Sequence, residues 1–146
     1  MALVSVGLIR EALAARLETL DGLFAYAYPT AAVQAGPLGA ALIRDAELDE
    51  FIQYHAEGGT ERCRLLFEIM VLAPAANQAE AARVLDDYRS VGTARSLLTL
   101  LESGGNLGGV CNYVTVLGAS NLREYNEGQP DARLWETTFT VEVRAG

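Results

Sequence analysis

Lysine is missing from this chain: its eleven basic residues are all arginine, set against nineteen acids for a net charge of −8. That sign opposes any function that grips nucleic acid by neutralising phosphates, because repulsion works against the contact. Arginine-only usage beside abundant alanine and glycine reads as a GC-rich coding bias and carries no mechanism. Histidine occurs once, at His55, which restricts acid–base and metal chemistry together. Cysteine occurs twice, at Cys63 and Cys111, too few for a disulfide framework. Each falls in an expected strand, so buried reduced thiols are the plain reading, although a bridge is sterically possible if the two strands are neighbours. No apolar run reaches the roughly 18–20 residues that a membrane-spanning helix needs. Residues 1–10 lack the basic start, apolar centre and small-residue cleavage site of a signal peptide, and the expectation is a soluble protein made in a cytoplasm.

What is present is enough apolar material for one core. A chain of 146 residues, 51% apolar and 21% charged, fits a single domain. The clearest element is the stretch 134–144. Trp135, Thr137, Phe139, Val141 and Val143 alternate with Glu136, Thr138, Thr140, Glu142 and Arg144, the period of a half-buried strand. Such a strand needs partners to satisfy its backbone and cover its apolar side.

The rest of the chain supplies candidates. Val6, Ile9, Leu13, Leu17 and Leu20 recur at helical spacing, with Ser5 as N-cap and Asp21-Gly22 as the stop. Short strands are expected at 23–28, ended by Pro29, and at 39–44. Residues 45–60 read as a long acidic connection with some strand in it. The stretch 62–72 is apolar on both sides and reads as a central strand. Asn77, with Glu80 three residues on, predicts a capped helix over 78–89 with Ala82, Leu85 and Tyr88 inward. A shorter helix is expected from Thr93, burying Leu97, Leu98, Leu100 and Leu101. Strands at 110–117 and 134–144 flank a polar excursion over 118–132. The expected class is α+β: a mainly antiparallel mixed sheet packed against two or three helices, in helix–strands–helices–strands order.

Catalytic constellations are hard to assemble from these residues. A Cys–His pair joining His55 to Cys63 or Cys111 has no local signature, and His55, Glu57 and Cys63 lack tight zinc-ligand spacing. The glycine run 104–109 follows a helix and precedes a strand, the reverse of a phosphate loop, and reads as a helix stop and turn. Phe24, Tyr26 and Tyr28 share a face at period two, as a stacking platform would, but the acidic balance favours core or interface. Acid-rich loops are ordinarily a solvated face; the alternatives are a surface for a basic partner or the lining of a conduit for DNA. No catalytic, cofactor or metal site is expected.

One ordered series of segments goes further. Phe67-Glu68-Ile69-Met70-Val71-Leu72 is followed by Ala81-Ala82-Arg83-Val84-Leu85-Asp86, then Gly92-Thr93-Ala94-Arg95-Ser96-Leu97 leading into Leu101-Glu102. Asn106-Leu107-Gly108-Gly109-Val110 and the strand ending Val114-Thr115-Val116-Leu117-Gly118-Ala119-Ser120 come next, and the series closes on the C-terminal strand. In this order, with the leading helix around Leu13-Ala14-Ala15-Arg16-Leu17 and the aromatic-acidic middle around Tyr54-His55, the chain resembles the tail terminator and tail-completion proteins of long-tailed bacteriophages. The resemblance is weakest over 31–60.

It implies a structural virion protein and no catalysis. Copies of the chain would form a six-membered ring at the head–tail junction, cap the tail tube, stop its growth and meet the head-side connector. DNA would pass through the lumen without specific binding, and assembly would take place in the host cytoplasm with no membrane involved. Another head-to-tail joining or head-completion protein of the phage neck is the alternative. A head-to-tail ring interface implies contacts through the loops 45–59, 118–132 and 31–37. The residues expected there are Phe51, Tyr54, His55, Asn121, Arg123 and Tyr125.

Overall fold

The structure, a computed structural model, describes residues 4–28, 33–46, 50–57, 60–125 and 134–146, with the backbone alone for 55–57 and 60–62. Among these residues the order is α1 (Val6–Leu17), β1 (Phe24–Tyr26), β2 (Ala40–Asp45), β3 (Ile52–Glu57), β4 (Thr60–Pro74), α2 (Gln78–Arg89), α3 (Leu97–Ser103), β5 (Tyr113–Ala119), β6 (Arg123–Tyr125) and β7 (Leu134–Ala145). The class is α+β, as expected: a seven-stranded sheet with its helices packed against it.

Two long strands make the spine. β4 and β7 pair antiparallel from Cys63 opposite Ala145 to Pro74 opposite Leu134. Along the outer side of β4, β2 and β3 lie end to end, and along the outer side of β7, β5 and β6 do the same. β1 extends the sheet parallel to β2.

Register divides the faces. Odd positions of β4 and β7 (Leu65, Phe67, Ile69, Val71, Phe139, Val141, Val143) point to the helices and join Ile9, Leu13, Leu17, Leu85, Tyr88, Leu97 and Leu101 in the main core. A smaller cluster of Val33, Ala40, Leu42, Met70, Leu72 and Leu134 covers one end of the opposite face. The Tyr26 hydroxyl holds the covering segment there, donating to the Gln34 carbonyl (3.1 Å) and accepting from its N–H (3.0 Å).

Several expected boundaries move. Ser5 caps α1, accepting from the Leu8 N–H (3.2 Å), but the helix ends at Leu17 and Leu20 is buried from the following turn. Asn77 caps α2, while the Glu80 carboxylate accepts from the Ala76 N–H (3.0 Å). The inward stripe is Ala81, Leu85 and Tyr88, at spacings of four and three; Ala82 sits about 100° round the helix and is only half-buried. α3 starts at Leu97 with Ser96 as its cap, later than Thr93, and Leu98 and Leu100 are half-buried rather than buried.

The glycine run does form a helix stop and turn. Gly105, Leu107, Gly108 and Gly109 all have positive φ, so β5 cannot begin until Tyr113 and Cys111 lies before the strand instead of in it. The expected acidic connection over 45–60 contains a full strand, β3, which forms a hairpin with β4. Residues 47–49 and 58–59 of that connection lie outside the described residues, as do 31–32 of the early loop and 126–133 of the late excursion.

Candidate interaction face

The helix-free side of the sheet follows from the same alternation that builds the core. Even positions of β4 and β7 and the matching positions of β2, β5 and β6 project there. In register across the sheet, Arg44 stands opposite Glu68 and Glu68 opposite Thr140; Arg64 stands opposite Arg144. Two facing arginines repel, and Glu142 resolves the conflict by accepting from Arg64 Nε (2.9 Å) and Arg144 Nε (2.7 Å). Arg44 pairs with Glu68 (2.9 Å), and Arg123 pairs with Glu136 across β6 and β7.

Burial pushes the Glu142 carboxyl up, but hydrogen bonds and charge from Arg144 and Arg64 outweigh it and hold the group below its ordinary 4.5. A carboxyl lowered in the folded state stabilises the fold above its unfolded value, and that stability drains away as the pH falls through the lowered native one. Glu142→Gln is therefore expected to cost about 1–2 kcal/mol at pH 7. The gap from the parent should begin to close as the pH falls below 4.5 and vanish only below the lowered native value, which a series of denaturant titrations from pH 7 down through that range would measure.

A groove of about 680 Å³ opens on this face. Thr138 and Thr140 form its floor, Arg44 and Glu68 one side, and the run from Leu117 to Arg123 the other. A bulge between Val116 and Gly118 breaks the β5–β7 register and turns the chain toward the groove. Ser120 then pins the wall to β7: its N–H donates to the Thr138 carbonyl (2.8 Å), its hydroxyl accepts from the Thr138 N–H (2.9 Å), and its carbonyl accepts from Thr137 Oγ1 (2.9 Å). Glu136, only 3% exposed, leaves Oε2 without a hydrogen bond among the described residues, and Thr138 Oγ1 is in the same condition.

Comparison with protein-family models and with curated proteins yields no match.

The six residues expected at an interface do not gather at one place. Asn121 and Arg123 line the groove. Tyr125 packs beside the smaller cluster, next to Leu134 in register. Phe51 sits on the other side of the sheet, its ring edge-on to Phe67 at 5.0 Å and half-buried against the main core. Tyr54 is 77% exposed on β3, and for His55 only the backbone is described. The Cys–His pairing considered from sequence thus rests on a side chain outside the described residues.

Residues that the sequence assigned to no site carry most of this face: Arg44, Arg64, Glu68, Glu136, Thr138, Thr140, Glu142 and Arg144. The available signal was charge inside otherwise apolar strands, at Arg64 and Glu68, and the polar side of the C-terminal strand. Both cysteines are free thiols, and burial pushes the Cys111 thiol up. Among the described residues no group of three or more His, Cys, Asp or Glu is arranged to hold a metal ion, and no helix is long and apolar enough to cross a membrane. Four arginines and three glutamates in a grid of ion pairs, with unsatisfied oxygen atoms in and beside the groove, suit a polar macromolecular contact.

Proposed function

We propose that this chain is a structural subunit of a long-tailed phage that assembles into a hexameric ring on the head-proximal end of the tail tube, ends tube growth and joins the tail to the head-side connector. The observation that carries the reading is the ordered series of segments resembling terminators. Residues 67–72, 81–86, 92–97, 106–110, 114–120 and 134–143 lie in turn on β4, α2, the approach to α3, the glycine turn, β5 with its exit, and β7. The partners are copies of the chain, the tube protein and the connector, with DNA passing through the lumen. An acidic chain, net −8, is suited to a passage that must not retain DNA.

Disrupting the gene in the phage genome that carries it and imaging the particles by electron microscopy tests this directly. Abnormally long tails without heads are expected. Tails of normal length beside detached, DNA-filled heads would reassign the chain to head–tail joining, and intact infectious particles would remove both roles.

A further inference from the structure

Each end strand of the sheet gives an N–H to a glutamate from a helix. In β1, Phe24 donates to the Gly39 carbonyl at the start of β2 (3.2 Å), so the next N–H along, that of Ala25, turns away from the sheet and donates to Glu18 Oε1 (3.3 Å). In β5, Val116 stands opposite Val141 in register but donates its N–H to Glu102 Oε2 (3.0 Å). Glu18 is the C-cap of α1 and Glu102 belongs to α3. β1 and β5 are the two ends of the strand path β1-β2-β4-β7-β5.

An end strand is where a sheet can grow by pairing with another chain, and large exposed apolar side chains raise that hazard. Phe24 on β1 is 45% exposed, and Tyr113 and Leu117 on β5 are 50% and 51% exposed. An added strand would set a carbonyl oxygen against the outward N–H of the strand it joins. At Ala25 and Val116 a carboxylate oxygen already occupies that place, and a hydrogen bond to an ionised acceptor is roughly twice as strong as one to a neutral carbonyl. A displaced carboxylate would remain tethered to its helix beside the incoming carbonyl oxygen, negative against negative. Neither glutamate is drawn away by an ion pair among the described residues.

We infer that Glu18 and Glu102 guard the two ends of the sheet: each holds an outward N–H and so prevents copies of this chain from joining sheet to sheet through β1 or β5. The guard on β5 is the stronger, having the shorter bond and the longer strand to protect.

Glu102→Ala tests that guard and Glu18→Ala the other. Both side chains are exposed, one in a helix and one at a helix end, where alanine is well accommodated, and circular dichroism checks that each variant is folded. In sedimentation velocity each variant is expected to associate at concentrations at least about tenfold lower than the parent chain. Association through β3, β6 or any other surface is common to parent and variant and cancels in the comparison. Adding Val116→Pro to Glu102→Ala, or Ala25→Pro to Glu18→Ala, removes the freed N–H and should return association to the parent level. Amide exchange at Val116 supplies a second readout: in Glu102→Ala it should quicken in dilute solution and slow again as the chains associate. A glutamate that only ties helix to sheet would, on removal, lower the stability to unfolding and leave association where the parent has it, and that result overturns the inference. Association that the proline leaves unchanged, or a Val116 amide that stays fast in the associated state, overturns it as well.

Discussion

Alanine at position 39 is expected to destabilise the fold by at least about 3 kcal/mol. Gly39 ends the turn that feeds β2, with φ +118, a conformation side chains rarely adopt. A Cβ there would stand inside 3.0 Å of the Leu72 carbonyl oxygen. Leu72 belongs to β4 and pairs with β7 through Glu136, so the obstructing atom is backbone of the spine and cannot step aside as a side chain would. Gly92 provides the control. Its φ is +81, but nothing lies within 4 Å of an added Cβ, and Gly92→Ala should cost only about 1–2 kcal/mol, the conformational part. Urea titration of both variants separates crowding from backbone preference; costs within 1 kcal/mol of each other would show that the approach to Leu72 is harmless.

Arg10→Ala should rank next, at about 3 kcal/mol, while Arg10→Met should keep more than half of that. Arg10, on the inward side of α1, is 9% exposed, with its guanidinium 5.2 Å from the Phe67 ring, 5.6 Å from Phe51 and 5.7 Å from Tyr28. It also pairs with Asp45 at the end of β2. Desolvation by burial lowers its pKa, so the buried charge works against the rings and the ion pair that favour it. Asp45 remains 51% exposed, which makes its share of the pairing small. The aliphatic stem and ring contacts are left as the main contribution, and methionine reproduces much of these without a charge to desolvate. Equal losses for the two variants in thermal or chemical unfolding would show instead that the charge stabilises the site.

The elements most legible in the sequence are those whose signals are local. The start of α2 is legible because Asn77 caps it, and the C-terminal strand because its alternation is complete over one continuous stretch. β3 was obscured although Ile52, Tyr54 and Ala56 alternate with Gln53, His55 and Glu57; the acids before it read as loop, and only pairing with β4 reveals the strand. The interaction face was less visible still. Glu136 looks like a solvated position, and its burial depends on Arg123 and on the path of the chain from Gly118 to Arg123, set by a bulge eighteen to twenty residues before it. Glu18 and Glu102 resemble any acid on a helix surface until the edge N–H groups they hold are known.

The β4–β7 spine has a kinetic consequence. Its two strands are separated along the chain by α2, α3, β5 and β6, so the pairing on which every other strand depends closes a long loop and carries a large entropic cost before it returns any contact. Until β7 arrives, β4 stands with apolar side chains on both faces and one flank unpaired, a template for pairing with other chains. Refolding is therefore expected to be slow and increasingly lossy as protein concentration rises, and substitutions confined to α2 or its cap should change the unfolding rate far more than the folding rate.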